Sequence, residues 1–325
     1  MIVIFSTHND DTTNEVIEWL AKNQNAISRF NAFGDKFPLI TSGFSDDNVE
    51  FKINDEEADA IWFRKSLNPF KYEFEGGHSD INMHIKNELK AFKEAVYFMS
   101  QQSIKVLGAS KSSAGMGYNK IQILNAAKTH GLYIPATLVT NSLIDIIEFK
   151  NKHKEIIIKC INEADSFKRG NTSYVLLTST LTNKMIKTLP SEFFPCFVQE
   201  RIFKKYEVRT FFLEGKCYSA AIFSQSNKKT KVDYRNYDYQ KMNRYVPYHL
   251  DHEVEEKVAA LMDFLGFDTG SIDFIVTAEN KVIFLEINPA GQFGGMVSKP
   301  CNYFLEKQVA NNLINKSLQQ NEQHK

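Results

Sequence analysis

Two apolar runs, "SIDFIV" and "KVIFLEIN", flank Glu279-Asn280 and read as one antiparallel hairpin. The second run ends in Glu-Ile-Asn, an odd finish for a strand that is otherwise apolar. Strand side chains alternate between faces, so Glu286 and Asn288 share one face while Leu285 and Ile287 take the other. Their oxygens then stand about 6–7 Å apart along the strand. The hairpin brings Asp273 of the first run alongside. Two carboxylates and an amide on one face form a hard-oxygen donor set suited to Mg²⁺, with open positions for phosphate oxygens. The plain alternative is a strand ending at the surface, with Glu286 and Asn288 solvated beside a turn.

A chain of 325 residues exceeds one small core and predicts two or three lobes. Lys plus Arg (39) equals Asp plus Glu (39), so no overall field draws nucleic acid or an anionic membrane surface. "MIVIF" passes at once into "STHNDD", without the basic flank of a signal peptide or the length of a membrane span; a cytoplasmic chain is expected. Cys160, Cys196, Cys217 and Cys301 show neither Cys-x-x-Cys nor zinc spacing and read as reduced thiols. Cys301 in "PCNYF" has no base beside it that would make it a nucleophile.

The first hundred residues alternate strands and helices, which predicts an open α/β sheet. A boundary is expected at the small-residue segment Gly108–Gly117, which lacks P-loop spacing. A helix from Asn119 ends at Gly131, and "PATLVT", a helix over Asp145–Asn151 and "KEIIIKC" follow. Asn162–Asn171 is polar and expected to be mobile. Beyond it the pattern predicts the hairpin "YEVRTFFLEGKCYSAAIFSQ" turning at Glu214-Gly215, a charged aromatic loop "KVDYRNYDYQKMNRYVPY", a helix Asp251–Leu265, the metal hairpin, and an amphipathic helix from Tyr303 to Leu318 before a frayed tail. Lys159, set among isoleucines, is costly to bury unless an anion faces it, and a nucleotide phosphate would serve. Otherwise it snorkels to a sheet edge.

Asn119-Lys120 opening a helix, then "IIIKC", "FVQERI", "YEVR", "SIDF" and "FLEINP", resemble the ATP-grasp ligases over Gly108–Leu318, and the N-terminal lobe resembles the α/β domain preceding that fold. More closely, "STHNDDTTNEVIEWL", "IWFRK", "KYEVRTFF", "VDYRNYD", "RYVPYHL", "TGSIDFI" and "EINPAGQFGGMVSKPCNYFLE" resemble the grasp-with-spasm peptide maturases, members of the graspetide synthetases. The fold implied is α/β, with α+β character in the C-terminal lobes. A pre-ATP-grasp domain would span 1–108, a central subdomain 109–195, a C-terminal subdomain with the metal site 196–318, and a tail 319–325. The cofactors implied are ATP and Mg²⁺. The partner implied is a ribosomal precursor peptide with leader and core; a homodimer is compatible with the sequence.

Mapped residue by residue, the resemblance gives Lys120 and Lys159 the nucleotide phosphates. Gln199, Glu200, Arg201 and Ile202 become the hinge whose backbone meets adenine, with Glu200 the side chain singled out. Glu207 would bind ribose hydroxyls, and Asp273, Glu286 and Asn288 the metal. Arg209 would face the phosphates or the substrate acid, or else form a surface cross-strand ion pair. Arg235, outside that mapping, is expected from carboxylate chemistry to grip the acceptor acid in a planar fork, the alternative being a solvated surface loop. Two departures stand out: the lid segment Asn162–Asn171 holds only Gly170 where relatives are Gly-rich, and Ser271 occupies the place where several relatives carry Arg. The activity implied is ATP-dependent ester or amide cross-linking of Asp/Glu to Ser/Thr/Lys side chains in the peptide. A ligase adding amino acids to a protein or small acid, and a non-catalytic ATP-binding regulator, use the same residues.

Overall fold

The computed structural model describes residues 1–32, 38–44, 49–65, 79–108, 119–161, 166–175, 177–236, 238 and 240–323. In the N-terminal lobe, β1 (Ile2–Ser6), α1 (Asp11–Lys22), β2 (Ile27–Asn31), β3 (Ile40–Phe44), β4 (Val49–Ile53), β5 (Ala60–Phe63), α2 (Ser79–Ser103) and β6 (Lys105–Leu107) follow the expected alternation. Strands β2-β1-β5-β6 form a parallel sheet, and β3 and β4 pair separately beneath α2. β1 and β5 are buried at every position, as parallel strands covered on both faces must be.

The central lobe holds α3 (Lys120–Thr129), β7 (Thr137–Ser142), α4 (Leu143–His153), β8 (Ile156–Lys159), β9 (Ser166–Arg169), β10 (Thr172–Val175), β11 (Ser179–Thr180), α5 (Asn183–Ile186) and β12 (Glu192–Glu200). Asn119 opens α3 with a reciprocal cap: its side chain accepts from Gln122 N at 3.0 Å, and the Gln122 side chain accepts from Asn119 N at 2.9 Å. Within the segment expected to be mobile an antiparallel ribbon begins, β9 with β10, turning at Gly170 (φ 60°); 162–165 lie outside the described residues, as does most of the small-residue segment, 109–118. The division expected at 195/196 falls inside β12. That strand pairs with β7 and β8, so the central sheet, ordered β11-β8-β12-β7, runs to Glu200.

The C-terminal lobe is a five-stranded antiparallel sheet of β13 (Tyr206–Leu213), β14 (Lys216–Phe223), β15 (Arg244–Tyr248), β16 (Thr269–Val276) and β17 (Val282–Asn288), ordered β15-β14-β13-β16-β17, with α6 (His252–Leu265) between β15 and β16. Strand alternation sorts its residues. Val208, Phe212, Ile272 and Phe274 pack against Leu261, Met262 and Leu265 of α6, whereas Arg209 and Asp273 take the opposite face. On that face Phe211 joins Ile2, Ile4 and Trp62 of the N-terminal lobe in one core.

A π-helical turn (Gly294–Ser298), α7 (Lys299–Cys301) and α8 (Leu305–Gln323) complete the described chain. The tail expected from residue 319 is helical through Gln323. Gln320 is buried, accepting from Lys105 N at 3.1 Å and donating to Ser103 O at 2.7 Å. Docking of these polar groups on the N-terminal lobe holds in place an end that composition alone would leave frayed.

Candidate active site

The strand register brings the expected metal donors together. Asp273 of β16 lies opposite Glu286 of β17, Ser271 lies opposite Asn288, and a bulge at Leu285 separates these pairs from Phe274–Phe284. The three expected donors therefore share a face. The bulge shifts the alternation by one, so Leu285, expected on the far side, lines the cleft while Phe284 enters the core.

Arg209 stands opposite Asp273 on β13, and its Nη1 donates to both carboxylate oxygens at 2.9 and 2.7 Å; both side chains are buried. The surface ion pair considered from sequence is thus an interior one. Burial opposes the Arg209 charge, but Asp273 outweighs it and holds the guanidinium pKa above its ordinary value. Tyr234 Oη donates to Asp273 Oδ1 at 3.4 Å.

Glu286 gathers cations. Arg235 Nη1 reaches its Oε1 at 3.4 Å, and Lys120 Nζ lies 4.0 Å from Oε2 while also donating to Cys160 O at 3.3 Å. The fork expected to grip an acceptor acid is already in use: Arg235 Nε and Nη2 bond Asp233 Oδ1 and Oδ2 at 3.0 and 2.9 Å. Only its Nη1 side is turned to Glu286. Lys159 lines the same cleft. Burial lowers its pKa, Lys120 and Arg235 lower it further, and Glu286 and Asp233 act against them. Four cationic side chains thus surround three carboxylates, an arrangement that favours an added polyanion.

The cleft adjoins a cavity of about 310 Å³ lined by Ile157, Arg201, Ile202, Phe203, Lys204 and Val232. Arg201 is tied to Glu155 at 2.6 Å and packs over Phe203. Gln199 is buried, donating to Thr137 Oγ1 at 2.9 Å, with its Oε1 lacking a partner. Glu200, the hinge side chain singled out from sequence, does not line this cavity. Its Oε1 accepts from Ala136 N at 2.8 Å and its Oε2 lies 3.4 Å from His153 Nδ1, so its carboxylate ties β12 to β7. Glu207 lines the cleft, bonded to Lys204 Nζ and, at 2.6 Å, to Ser224 Oγ. Burial pushes the Glu207 carboxyl up against the pull of Lys204.

Lys204 and Asp233 hold the site together, but neither was singled out from sequence. Lys204 precedes Glu207 by three positions in "KKYEVR", a spacing with no strand meaning until the chain turns there. Asp233 was visible only as one acid in a charged loop whose Tyr237 and Tyr239 lie outside the described residues.

The donor set fits Mg²⁺. Among the described residues no group of three or more His, Cys, Asp and Glu side chains could hold a metal. Two carboxylates and an amide, Asp273, Glu286 and Asn288, match an ion that keeps open positions for phosphate oxygens. Arg209, Arg235 and Lys120 supply positive charge to the two acids in this structure.

No protein-family model matches the chain, and no curated protein matches it by sequence. Solved structures do match. A RiPP-associated ATP-grasp ligase from Chryseobacterium gregarium, in complex with ADP and a leader and core peptide, superposes with TM-score 0.80 at 23% identity, over 97% of each chain. The macrocyclase MdnC from Microcystis aeruginosa MRC, bound with precursor peptide MdnA, gives TM-score 0.78 at 23% identity, over 97% of this chain and 100% of that one. The ATP-grasp ligase PsnB, complexed with minimal precursor, Mg and ADP, gives 0.69 at 18% identity, over 97% of each. The chain has the ATP-grasp fold, with an α/β N-terminal lobe before it.

Proposed function

We propose that the protein is an ADP-forming ATP-grasp ligase that cross-links side chains of a ribosomal precursor peptide in the cytoplasm. The observation that carries the reading is the convergence of Lys120, Arg235 and Lys159 on Glu286 beside Asp273, next to a cavity walled by 201–204. The likeness to precursor-bound ligases over nearly the whole chain supports the choice of a peptide as acceptor.

In this reading adenine meets the backbone of the hinge and the apolar wall of Ile157 and Val232, and Glu207 receives the ribose hydroxyls. Lys120 and Lys159 hold the phosphates. A bound magnesium ion, held by Asp273, Glu286 and Asn288, would neutralise phosphate oxygens. Arg235, braced by Asp233, presents Nη1 to the acceptor carboxylate and sets it in line with the γ-phosphate; Arg209 fixes Asp273 behind it. A peptide Asp or Glu attacks that phosphate, giving an acyl phosphate and ADP. A Ser, Thr or Lys side chain then attacks the acyl carbon, loses its proton and releases phosphate. Positioning and charge supply most of the acceleration in such transfers. An adjoining cavity of about 540 Å³, bounded by Ile158, Leu177, Met185 and Lys229, gives room for peptide beside Lys159 and Asp233.

Hydroxylamine tests the acyl phosphate. Protein, ATP, Mg²⁺ and a candidate precursor peptide rich in Asp, Glu, Ser, Thr and Lys should yield a peptide hydroxamate at one Asp or Glu, together with ADP. ADP formation with no hydroxamate and no dehydrated peptide would remove the peptide carboxylate from the scheme.

A further inference from the structure

We infer that Arg64 is a positioning residue for the metal ligands, through which the N-terminal lobe fixes the loop that follows Asn288. The inference rests on the reading of Asp273, Glu286 and Asn288 as cation ligands. Arg64 follows β5 and is 3% exposed. Its Nη1 donates to Ala290 O at 2.7 Å and Gly291 O at 3.3 Å, joining residues 226 and 227 positions apart. The next carbonyl, Gln292 O, accepts from Arg209 Nη2 at 3.4 Å and from Ser271 Oγ at 3.2 Å. Three successive carbonyls are thus held from two lobes, and the second holder is the arginine bonded to Asp273.

The loop has no slack beneath it. Gly291 N donates to Asn288 O at 2.9 Å, closing the turn that ends β17. A Cβ at Gly291 would overlap the side chain of Ser271, the residue paired with Asn288. This contact accounts for the glycine at 291. Movement of 290–292 must therefore displace Asn288 on one side and Arg209 on the other.

Arg64 is committed to this task. Burying a guanidinium is costly unless its charge and donors are met. Asp10 Oδ2 lies 3.1 Å from Nε, the Phe293 ring lies 5.6 Å from the guanidinium carbon, and the two loop carbonyls take Nη1. Nε meets Asp10 as an ion pair only, and both Nε and Nη2 are buried with no hydrogen-bond partner. Groups that orient metal ligands without touching the metal typically alter its affinity by about 10- to 100-fold when removed.

Calorimetric titration of ADP, with Mg²⁺ and with EDTA and without peptide, tests this on the full chain. Wild-type protein should bind ADP more tightly with Mg²⁺. Arg64→Met should lose at least about tenfold of that enhancement while its metal-free ADP affinity stays within about twofold, and Arg64→Lys should fall between the two. Should Arg64→Met not fold, Arg64→Lys, which keeps a charge beside Asp10, decides: an undiminished Mg²⁺ enhancement overturns the inference. A responsive wild type beside an equally responsive, folded Arg64→Met overturns it too, whatever the change in melting temperature. A wild type indifferent to Mg²⁺ overturns the metal reading and this inference together.

Discussion

Arg209 and Asp273 face each other across β13 and β16, one guanidinium nitrogen meeting both carboxylate oxygens at 2.9 and 2.7 Å in the interior. Removing one partner of such a pair leaves a buried charge uncompensated and typically costs about 3–5 kcal/mol. Urea denaturation of Arg209→Met should show a loss of that order, recovered in large part by Mg²⁺ with ADP or by Asp273→Asn in the same chain. A loss under about 1 kcal/mol would mean that Asp273 finds compensation elsewhere.

Glu286→Gln and Asn288→Ala should each give folded protein whose Mg²⁺-dependent ADP release falls at least about a hundredfold, or about 2.7 kcal/mol of transition-state stabilisation. Near-normal ADP release from both variants would remove them from the metal set.

On the proposed reading, Lys159 should make nucleotide binding proton-linked. Burial depresses its pKa from 10.5, so its ammonium destabilises the ligand-free fold at low pH, and that cost fades as pH rises through the depressed value. Phosphates favour the ammonium and raise the pKa again. ATP binding should therefore take up a proton increasingly as pH approaches the ligand-free pKa, and Lys159→Met should abolish the uptake. Titrations in buffers of different ionisation enthalpy measure it; equal uptake by the variant would place the titrating group elsewhere.

Much of this was legible in the sequence because strand alternation is local. Asp273, Glu286 and Asn288 fall on one face through the hairpin alone. The bulge at Leu285 was not legible, since nothing in "VIFLEIN" marks an extra residue, and it reverses where Leu285 and Phe284 point. The carboxylate of Glu200 could not be separated from a ligand-facing one without knowing that β12 lies beside β7, where Ala136 N awaits it. Arg64 looked like any strand-end arginine in "IWFRK", because its acceptors arrive more than two hundred residues later. The departure at Ser271 was visible, but the close approach of Gly291 to it is tertiary.

Arg235 offers Asp233 its planar fork and Glu286 its remaining nitrogen. A lysine would keep the charge but lose this geometry. Arg235→Lys should hold ATP and leader affinities near those of wild type while losing most dehydrated product. Full dehydration by the variant would transfer the orienting role to Arg209.

The most direct measurement combines mass spectrometry of the precursor with ADP quantification in one reaction. Each cross-link should remove one water from the peptide and release one ADP, with no ADP above background when the peptide is omitted. ADP released to free amino acids, a peptide that gains mass in place of losing water, or nucleotide bound without peptide-dependent turnover would contradict the assignment of this chain as a peptide cross-linking ligase.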